Sequence, residues 1–263
     1  MNQPLAYIHP DAKIGKDVKI EAFAWIDKNV VIGDGTWIGP NATIMEGARI
    51  GKNCKIFPSA VVSAIPQDLK FKGEETTAEI GDNTTLRECV TVNRGTASKG
   101  KTIVGNNCLL MAYVHIGHDC KLGNNIIISN STNVAGEIII DDYAVISGDV
   151  QIHQFVHIGG HVMISGGSLV RKDVPPYVTV AREPLTYAGI NSVGLRRRGF
   201  SNELITQIQD IYREIFVKEQ NVTQAFKFIE ESIPASKEKD YILEFIKSSE
   251  RGIVRGYSGS GGE

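Results

Sequence analysis

Aliphatic residues recur at every sixth position along most of the chain. The series runs without a miss over residues 8–62, resumes over residues 80–92, and continues over residues 104–170. In most units a second small or branched apolar residue, such as Ala12, follows four positions later. Residues two apart on an extended segment share a face, so each unit presents two side chains inward and then turns. This pattern predicts a parallel β-helix of about nine coils, each made of three units.

Two segments interrupt the repeat, residues 63–79 and 93–103. Loops that leave a solenoid and return in register often cap it or build a site on one side, although a tolerated surface insertion is the alternative. Beyond the repeat, the spacing of apolar residues becomes helical. We therefore predict a β-helix domain over residues 1–190, a helical domain over residues 191–256, and a flexible tail over residues 257–263.

Composition and charge exclude several function classes. The 263 residues are 42% hydrophobic and 22% charged, and the formal net charge is −2. This charge creates no general field that would attract nucleic acid or an anionic membrane. No targeting segment or membrane-spanning run is visible, so we expect a cytoplasmic protein. The four cysteines lack metal-site spacing and fit buried, reduced thiols: Cys54, Cys89, Cys108 and Cys120.

The stretch "VHIGHDC" concentrates polar chemistry within the repeat. Val114 and Ile116 take inward positions, so His115 between them faces out. Cys120 takes the next inward position, which removes the sulfur from any metal site here. Two outward histidines are fewer than the three protein ligands that a catalytic zinc usually has. We predict no metal.

Gly136 lies 18 residues after His118, which is one coil of the predicted β-helix. A glycine beside an exposed imidazole leaves a backbone N–H accessible. A base that activates a nucleophile and a donor that stabilises an oxyanion together suit acyl transfer. The alternative is a surface histidine on one turn and an ordinary glycine on the next. The repeat alone leaves both readings open.

Longer motifs extend this picture over nearly the whole chain. The segments "QDLKFKGE", "RECVTVNRGT", "HIGHDC", "IHQFVHIGGHVM", "DVPPYV" and "GLRRRGF" resemble those of the UDP-N-acetylglucosamine O-acyltransferase family. The resemblance implies a left-handed parallel β-helix with a C-terminal α-helical domain, assembled as a homotrimer with sites between subunits. It also implies transfer of a 3-hydroxyacyl chain from acyl carrier protein to the 3-hydroxyl of UDP-N-acetylglucosamine. That reaction begins lipid A biosynthesis in the cytoplasm of Gram-negative bacteria.

The resemblance also assigns roles to residues. His118 matches the general base, Asp119 is placed to orient it, and Gly136 matches the oxyanion donor. Gly166 matches the position where side-chain bulk limits acyl length, so a long chain is expected. No cofactor is implied, because 4′-phosphopantetheine arrives on the carrier protein. The residues implied in substrate binding are Asp68, Lys70, His115, Glu137, His153, Gln154, Asn191, Arg197 and Arg198.

Two positions depart from the family pattern. Glu137 stands where a histidine is common near the phosphates, and Val193 stands where a glutamate is common near the nucleotide. These departures leave room for a variant donor or a 3-amino sugar. The arginine run "RRR" could instead be a solvated patch or a dock for the acidic carrier protein.

Three other readings remain at this point. A related N-acyltransferase of the same pathway would carry an N-terminal nucleotide-binding domain, for which the early start of the repeat leaves no room. A zinc hydratase on the same scaffold needs three convergent histidines. A purely structural β-helix has no evident use for the Asp68 loop, His118 with Gly136, and the arginine motif together.

Overall fold

The computed structural model describes residues 4–217 and 222–256, and the expected tail over residues 257–263 lies outside them. Very short strands dominate the chain up to Ile190. The first nine are β1 (Tyr7–Ile8), β2 (Lys13–Ile14), β3 (Lys19–Ile20), β4 (Trp25–Ile26), β5 (Val31–Ile32), β6 (Trp37–Ile38), β7 (Thr43–Ile44), β8 (Ala48–Ile50) and β9 (Lys55–Ile56). The next nine are β10 (Val61–Ala64), β11 (Thr77–Ile80), β12 (Thr85–Leu86), β13 (Thr91–Asn93), β14 (Lys101–Val104), β15 (Leu109–Leu110), β16 (His115–Ile116), β17 (Lys121–Leu122) and β18 (Ile127–Ile128). The last nine are β19 (Asn133–Val134), β20 (Ile139–Ile140), β21 (Val145–Ile146), β22 (Gln151–Ile152), β23 (His157–Ile158), β24 (Met163–Ile164), β25 (Leu169–Val170), β26 (Val178–Ala181) and β27 (Thr186–Ile190).

Successive strands go to three parallel sheets in turn. The first face contains nine strands from β1 to β25, the second eight strands from β2 to β23, and the third ten strands ending in the antiparallel pair β26 and β27. From β1 to β22, each strand therefore pairs with the strand three places later, as β16 pairs with β19, whereas β24 pairs with β26. The predicted aliphatic positions are buried; Ile116 and Val134, which are partners in this register, are both 0% exposed. The hexad pattern thus forms one continuous apolar core along the prism axis.

The two interruptions of the repeat leave the prism from the same corner, between the first and second faces. The first joins β10 to β11 and the second joins β13 to β14. Both are shorter than predicted, residues 65–76 and 94–100, because β11 and β14 pair over four residues from Thr77 opposite Lys101. We call this edge of the prism the first corner. The following coil turns there at residues 117–120, between β16 and β17.

Helices follow directly after β27. They are α1 (Ser192–Arg197), α2 (Asn202–Phe216), α3 (Val222–Ser232) and α4 (Lys237–Ser248). Ser201 and Ser236 cap α2 and α4, since each side chain accepts a hydrogen bond from a backbone N–H three residues on. The chain then returns to the prism, where Ile253 bridges to Asp173 and Arg255 to Thr186. Within residues 4–217 and 222–256, none of the helices has both the length and the apolar character needed to cross a membrane.

Tyr241 fastens α4 to the prism. Its hydroxyl donates to Asp141 Oδ2 at 2.6 Å and accepts from the Gly160 N–H at 2.8 Å. The same Asp141 oxygen lies 2.9 Å from His157 Nε2. Burial, followed by the charge of Asp141, raises the pKa of the Tyr241 hydroxyl, which therefore stays protonated as a donor.

Tyr241→Phe is expected to weaken the attachment of α4 to the prism while leaving the helix propensity of α4 nearly unchanged. The Gly160 N–H would lose its partner, and an unsatisfied buried group costs about 1–3 kcal/mol. We expect the free energy of unfolding of the helical region to fall by about that amount, measured by urea titration with far-ultraviolet circular dichroism. Tyr113→Phe is the control, because Tyr113 is 63% exposed on the prism surface. Equal effects of both changes would contradict the anchoring role.

Candidate active site

A cleft of about 590 Å³ opens beside the first corner, on the outer surface of the first face. One wall of the cleft is formed by the first interrupting loop. Its floor is formed by outward-facing residues of β16, β19 and β22. Seven of the residues singled out in the sequence line it: Asp68, Lys70, His115, His118, Gly136, His153 and Gln154. The stacking of successive coils therefore gathers residues that are far apart in the sequence.

His118 lies at the turn, with its side chain 12% exposed. Its Nδ1 is 2.8 Å from Asp119 Oδ2, so the carboxylate accepts the Nδ1–H in the tautomer that this contact favours. Nε2 then carries no hydrogen and can accept a proton from a substrate; Asp68 Oδ2 on the first loop lies 3.9 Å from it. An imidazole held in this way can remove a proton from a hydroxyl placed in the cleft.

Asp119 is a fully buried carboxylate, with 0% of its side chain exposed. The second interrupting loop surrounds it. The Thr96 N–H donates to Oδ1 at 2.9 Å, the Thr96 hydroxyl donates to Oδ2 at 2.6 Å, and the Lys99 N–H donates to Oδ1 at 3.2 Å. Sequence reasoning missed Thr96. The available signal was the interruption of the repeat one coil before His118.

Gly136 packs directly on the His118 ring. A Cβ at residue 136 would lie 2.5 Å from His118 Nε2 and 2.6 Å from Cε1, so no larger residue fits without moving the imidazole. The next residue, Glu137, donates its N–H to the His118 carbonyl at 2.8 Å and ties the two turns together. The glycine backbone thus forms the cleft wall closest to Nε2, where charge would develop on a reacting carbonyl.

His115 lies on the cleft floor and is a weaker candidate for proton transfer. The Thr91 hydroxyl and His115 Nδ1 are hydrogen-bonded at 2.7 Å. Burial, and secondarily the nearby His118, lower the pKa of His115. A neutral ring that is already engaged by Thr91 suits substrate contact better than general base catalysis.

Six predicted residues lie outside the cleft lining: Asp119, Glu137, Gly166, Asn191, Arg197 and Arg198. The Glu137 carboxylate accepts a hydrogen bond from the Ser98 hydroxyl at 3.1 Å, on the far side of the turn. Gly166 lies at the corner between the third and first faces, where a Cβ would approach the Gly148 carbonyl oxygen at 3.2 Å.

The predicted nucleotide-binding residues lie at yet another corner, between the second and third faces. Asn191 caps α1 and donates from Nδ2 to the His161 carbonyl at 2.9 Å. Arg198 donates to the Tyr143 carbonyl at 3.1 Å, and burial lowers the pKa of its guanidinium group. Arg197 is exposed. Within one chain, these three residues are not brought to His118.

The cysteine in the motif belongs to the core. Cys120 is 1% exposed, and its thiol donates to the Ala135 carbonyl at 3.0 Å. Burial raises the pKa of this thiol to about 12. In the part of the chain that the structure describes, no three His, Cys, Asp or Glu side chains are arranged to hold a metal ion.

The coiled hexads, and an imidazole–carboxylate pair facing a glycine turn, define a hexapeptide-repeat acyltransferase. The family model described as bacterial transferase hexapeptide (six repeats) matches residues 29–64 and 101–136. A second model, described as UDP N-acetylglucosamine O-acyltransferase, domain 2, matches residues 173–254. The helical region therefore carries a more specific signature than the prism.

Individual relatives agree with these models. An acyl-[acyl-carrier-protein]–UDP-N-acetylglucosamine O-acyltransferase from Sulfurihydrogenibium sp. is 56% identical over 95% of this chain and 93% of its own length. The crystal structure of a UDP-N-acetylglucosamine acyltransferase from Bacteroides fragilis is 59% identical, with a TM-score of 0.96 over 97% of this chain and 100% of that one. The Francisella novicida enzyme is 42% identical, with a TM-score of 0.95 over 99% and 96% of the two chains.

The chain belongs to the UDP-N-acetylglucosamine O-acyltransferase family and is an acyltransferase. The fold comparison also confirms the expected left-handed β-helix with a C-terminal helical region.

Proposed function

We propose that this enzyme transfers a 3-hydroxyacyl chain from acyl carrier protein to the 3-hydroxyl of UDP-N-acetylglucosamine, the first step of lipid A biosynthesis. The names of its full-length relatives support the two substrates. The observation that carries the chemistry is the His118–Asp119 pair, whose Nε2 faces the Gly136 turn inside an open cleft. We place the reaction in the cytoplasm of a Gram-negative bacterium.

The geometry supports a general base mechanism. His118 Nε2 takes the proton of the sugar hydroxyl as its oxygen attacks the thioester carbonyl. The tetrahedral oxyanion is stabilised by the Gly136 N–H, which makes no hydrogen bond elsewhere within the described residues. Collapse of the intermediate breaks the carbon–sulfur bond, and the imidazolium returns its proton to the leaving thiolate. The products are an ester and the free carrier thiol.

Substrate binding needs more than one subunit in this proposal. Asp68, Lys70 and Gln154 line the His118 cleft, but Asn191 and Arg198 lie at a different corner. A homotrimer that sets one subunit's third face against its neighbour's first face would bring both groups to one substrate. Guanidinium groups are well suited to a diphosphate.

The carrier protein would deliver the acyl chain on its own 4′-phosphopantetheine arm, so no further cofactor is needed. Gly166 has no side chain to shorten an acyl groove, which favours a long chain. Glu137, where the family commonly has a histidine, is hydrogen-bonded to Ser98. Val193, where the family commonly has a glutamate, is apolar and 57% exposed. Neither residue therefore supplies the contact that is common in the family. A 3-amino sugar acceptor is therefore the second candidate.

The test is mass spectrometry of purified enzyme incubated with UDP-N-acetylglucosamine and a panel of 3-hydroxyacyl carrier proteins. We expect a UDP-sugar that gains one hydroxyacyl group, with highest turnover on long chains. The 3-amino analogue of the sugar nucleotide is the parallel arm. Product from the amino sugar alone would overturn the assignment of the acceptor hydroxyl, and no product from either sugar would overturn the proposed function.

A further inference from the structure

The second interrupting loop does not line the cleft, yet it makes three hydrogen bonds to the carboxylate that holds His118. Residues 94–100 do not line the cleft around His118. Their contacts go instead to Asp119, behind the imidazole, through the Thr96 N–H, the Thr96 hydroxyl and the Lys99 N–H. We propose that Thr96 is a positioning residue that fixes Asp119 for its hydrogen bond to His118.

Burial makes this support necessary. An ionised carboxylate that loses water is strongly destabilised unless hydrogen-bond donors replace the lost solvent. Asp119 has 0% of its side chain exposed, and within residues 4–217 and 222–256 its four donors are His118 Nδ1 and the three groups of the loop. Three of the four compensating donors therefore come from a segment that an uninterrupted repeat would not contain.

The same turn position one coil later carries a carboxylate to which the loop supplies a single hydroxyl donor. Glu137 lies one coil after Asp119 and, like it, has a positive φ, 59° against 60°. Its carboxylate is partly exposed and reaches sideways to Ser98 rather than supporting a neighbouring side chain. The loop thus supplies three donors to the buried carboxylate of Asp119 and one to the partly exposed carboxylate of Glu137.

The Thr96 hydroxyl has a specific geometric role. It donates to Oδ2, the same oxygen that accepts from His118 Nδ1, at 2.6 Å and 2.8 Å respectively. The two backbone donors hold the other oxygen, Oδ1. Each oxygen is therefore restrained separately, which prevents rotation of the carboxylate plane away from the imidazole.

Further hydrogen bonds hold the loop together around this contact. The Thr96 hydroxyl accepts from the Ser98 N–H at 3.1 Å, and the Thr96 carbonyl accepts from the Gly100 N–H at 2.8 Å. Beyond the loop, the buried Thr102 hydroxyl accepts the Asp119 N–H at 2.8 Å. Backbone and carboxylate of Asp119 are thus both held by residues 96–102.

The decisive variants are Thr96→Val, which keeps the shape and the backbone donor but removes the hydroxyl, and Thr96→Ser, which keeps the hydroxyl. We expect Thr96→Val to lower kcat about tenfold with the KM for the sugar nucleotide changed less than about twofold, because Asp119 orients the base and is not placed to contact substrate. Thr96→Ser is expected to stay near the original kcat. Thr84→Val is the matched control, since Thr84 is another buried threonine whose hydroxyl donates to a carbonyl, that of Gly105, at a different corner.

A double-mutant cycle separates this role from general damage to the fold. In the Asp119→Asn background, Thr96→Val should reduce kcat by less than about twofold, because the interaction it supports is already lost. Equal tenfold losses in both backgrounds, or equal losses in Thr96→Val and Thr84→Val, would overturn the positioning role.

The inference rests on the proposed function, so one readout must not depend on substrates. The rate at which diethyl pyrocarbonate modifies His118, followed by peptide mass spectrometry, reports the reactivity of Nε2 directly. We expect this rate to fall severalfold in Thr96→Val and in Asp119→Asn, and to stay unchanged in Thr84→Val. An unchanged rate in Thr96→Val would overturn the inference even if no substrate were found, whereas an inactive parent enzyme with a lowered rate would overturn the proposed function alone.

Discussion

His118→Ala is expected to lower kcat by about 10²–10⁴-fold, the range that a positioned general base contributes. The sugar hydroxyl is a poor nucleophile at neutral pH, and the change removes the imidazole that faces the Gly136 turn. His115, the other histidine on the cleft floor, is engaged by Thr91 and cannot substitute without rotating. The measurement is single-turnover formation of acylated UDP-sugar at saturating concentrations of both substrates.

The control for this change is His9→Ala in the first coil, far along the prism from the cleft, where the ring accepts the Asp11 N–H. It should retain full activity. A loss smaller than about tenfold in His118→Ala would contradict the base assignment, because binding and oxyanion stabilisation alone would then account for the catalysis.

Gly136→Ala is expected to lower kcat by at least about 100-fold, although the change adds only one methyl group. The new Cβ would lie 2.5 Å from His118 Nε2, well inside van der Waals contact, so the ring must move by roughly 1 Å. A displacement of that size between reacting groups costs about 100-fold in rate. The backbone N–H is retained, so the loss would measure displacement of the base. Comparison of kcat with the parent enzyme tests it.

Two comparisons make this prediction specific. Gly39→Ala crowds a turn in an N-terminal coil, where a Cβ would lie 3.0 Å from the Ile56 carbonyl oxygen, and it should leave kcat unchanged. In a His118→Ala background, Gly136→Ala should add little, because the clashing ring is gone. A further 100-fold loss in that background would instead indicate that the methyl group blocks the substrate.

The repeat predicted the fold and much of the geometry at the first corner. Its six-residue period assigned Cys120 to the core and His118 to the surface, and stacking by one coil predicted that His118 meets Gly136. Cys120 is buried and His118 packs on Gly136, but only 12% of the His118 side chain is exposed, because the cleft walls cover it. They could be predicted because side-chain direction and coil stacking follow from strand periodicity alone.

The features that the repeat did not predict belong to segments outside the six-residue pattern. Thr96 belongs to a loop whose path depends on which buried group requires hydrogen-bond donors. No rule of residue spacing predicts where such a group lies. The location of Asn191 and Arg198 depends on how the helical region packs against the prism, since their contacts are to His161 and Tyr143 from other coils. Family motifs could name these residues but could not say that one chain holds them at a different corner from His118.

The three successive turns at the first corner have a consequence for how such an enzyme can change. Each coil contacts chiefly its immediate neighbours, so stability along the prism is close to a sum of adjacent interfaces. Insertions at one corner of adjacent coils, residues 65–76 and 94–100, leave the apolar register of the core untouched. The turn that carries His118 and the two interrupting loops therefore form a unit of three consecutive coils. Whole coils could be duplicated or deleted on the N-terminal side, and the length of the molecule would then evolve independently of its chemistry.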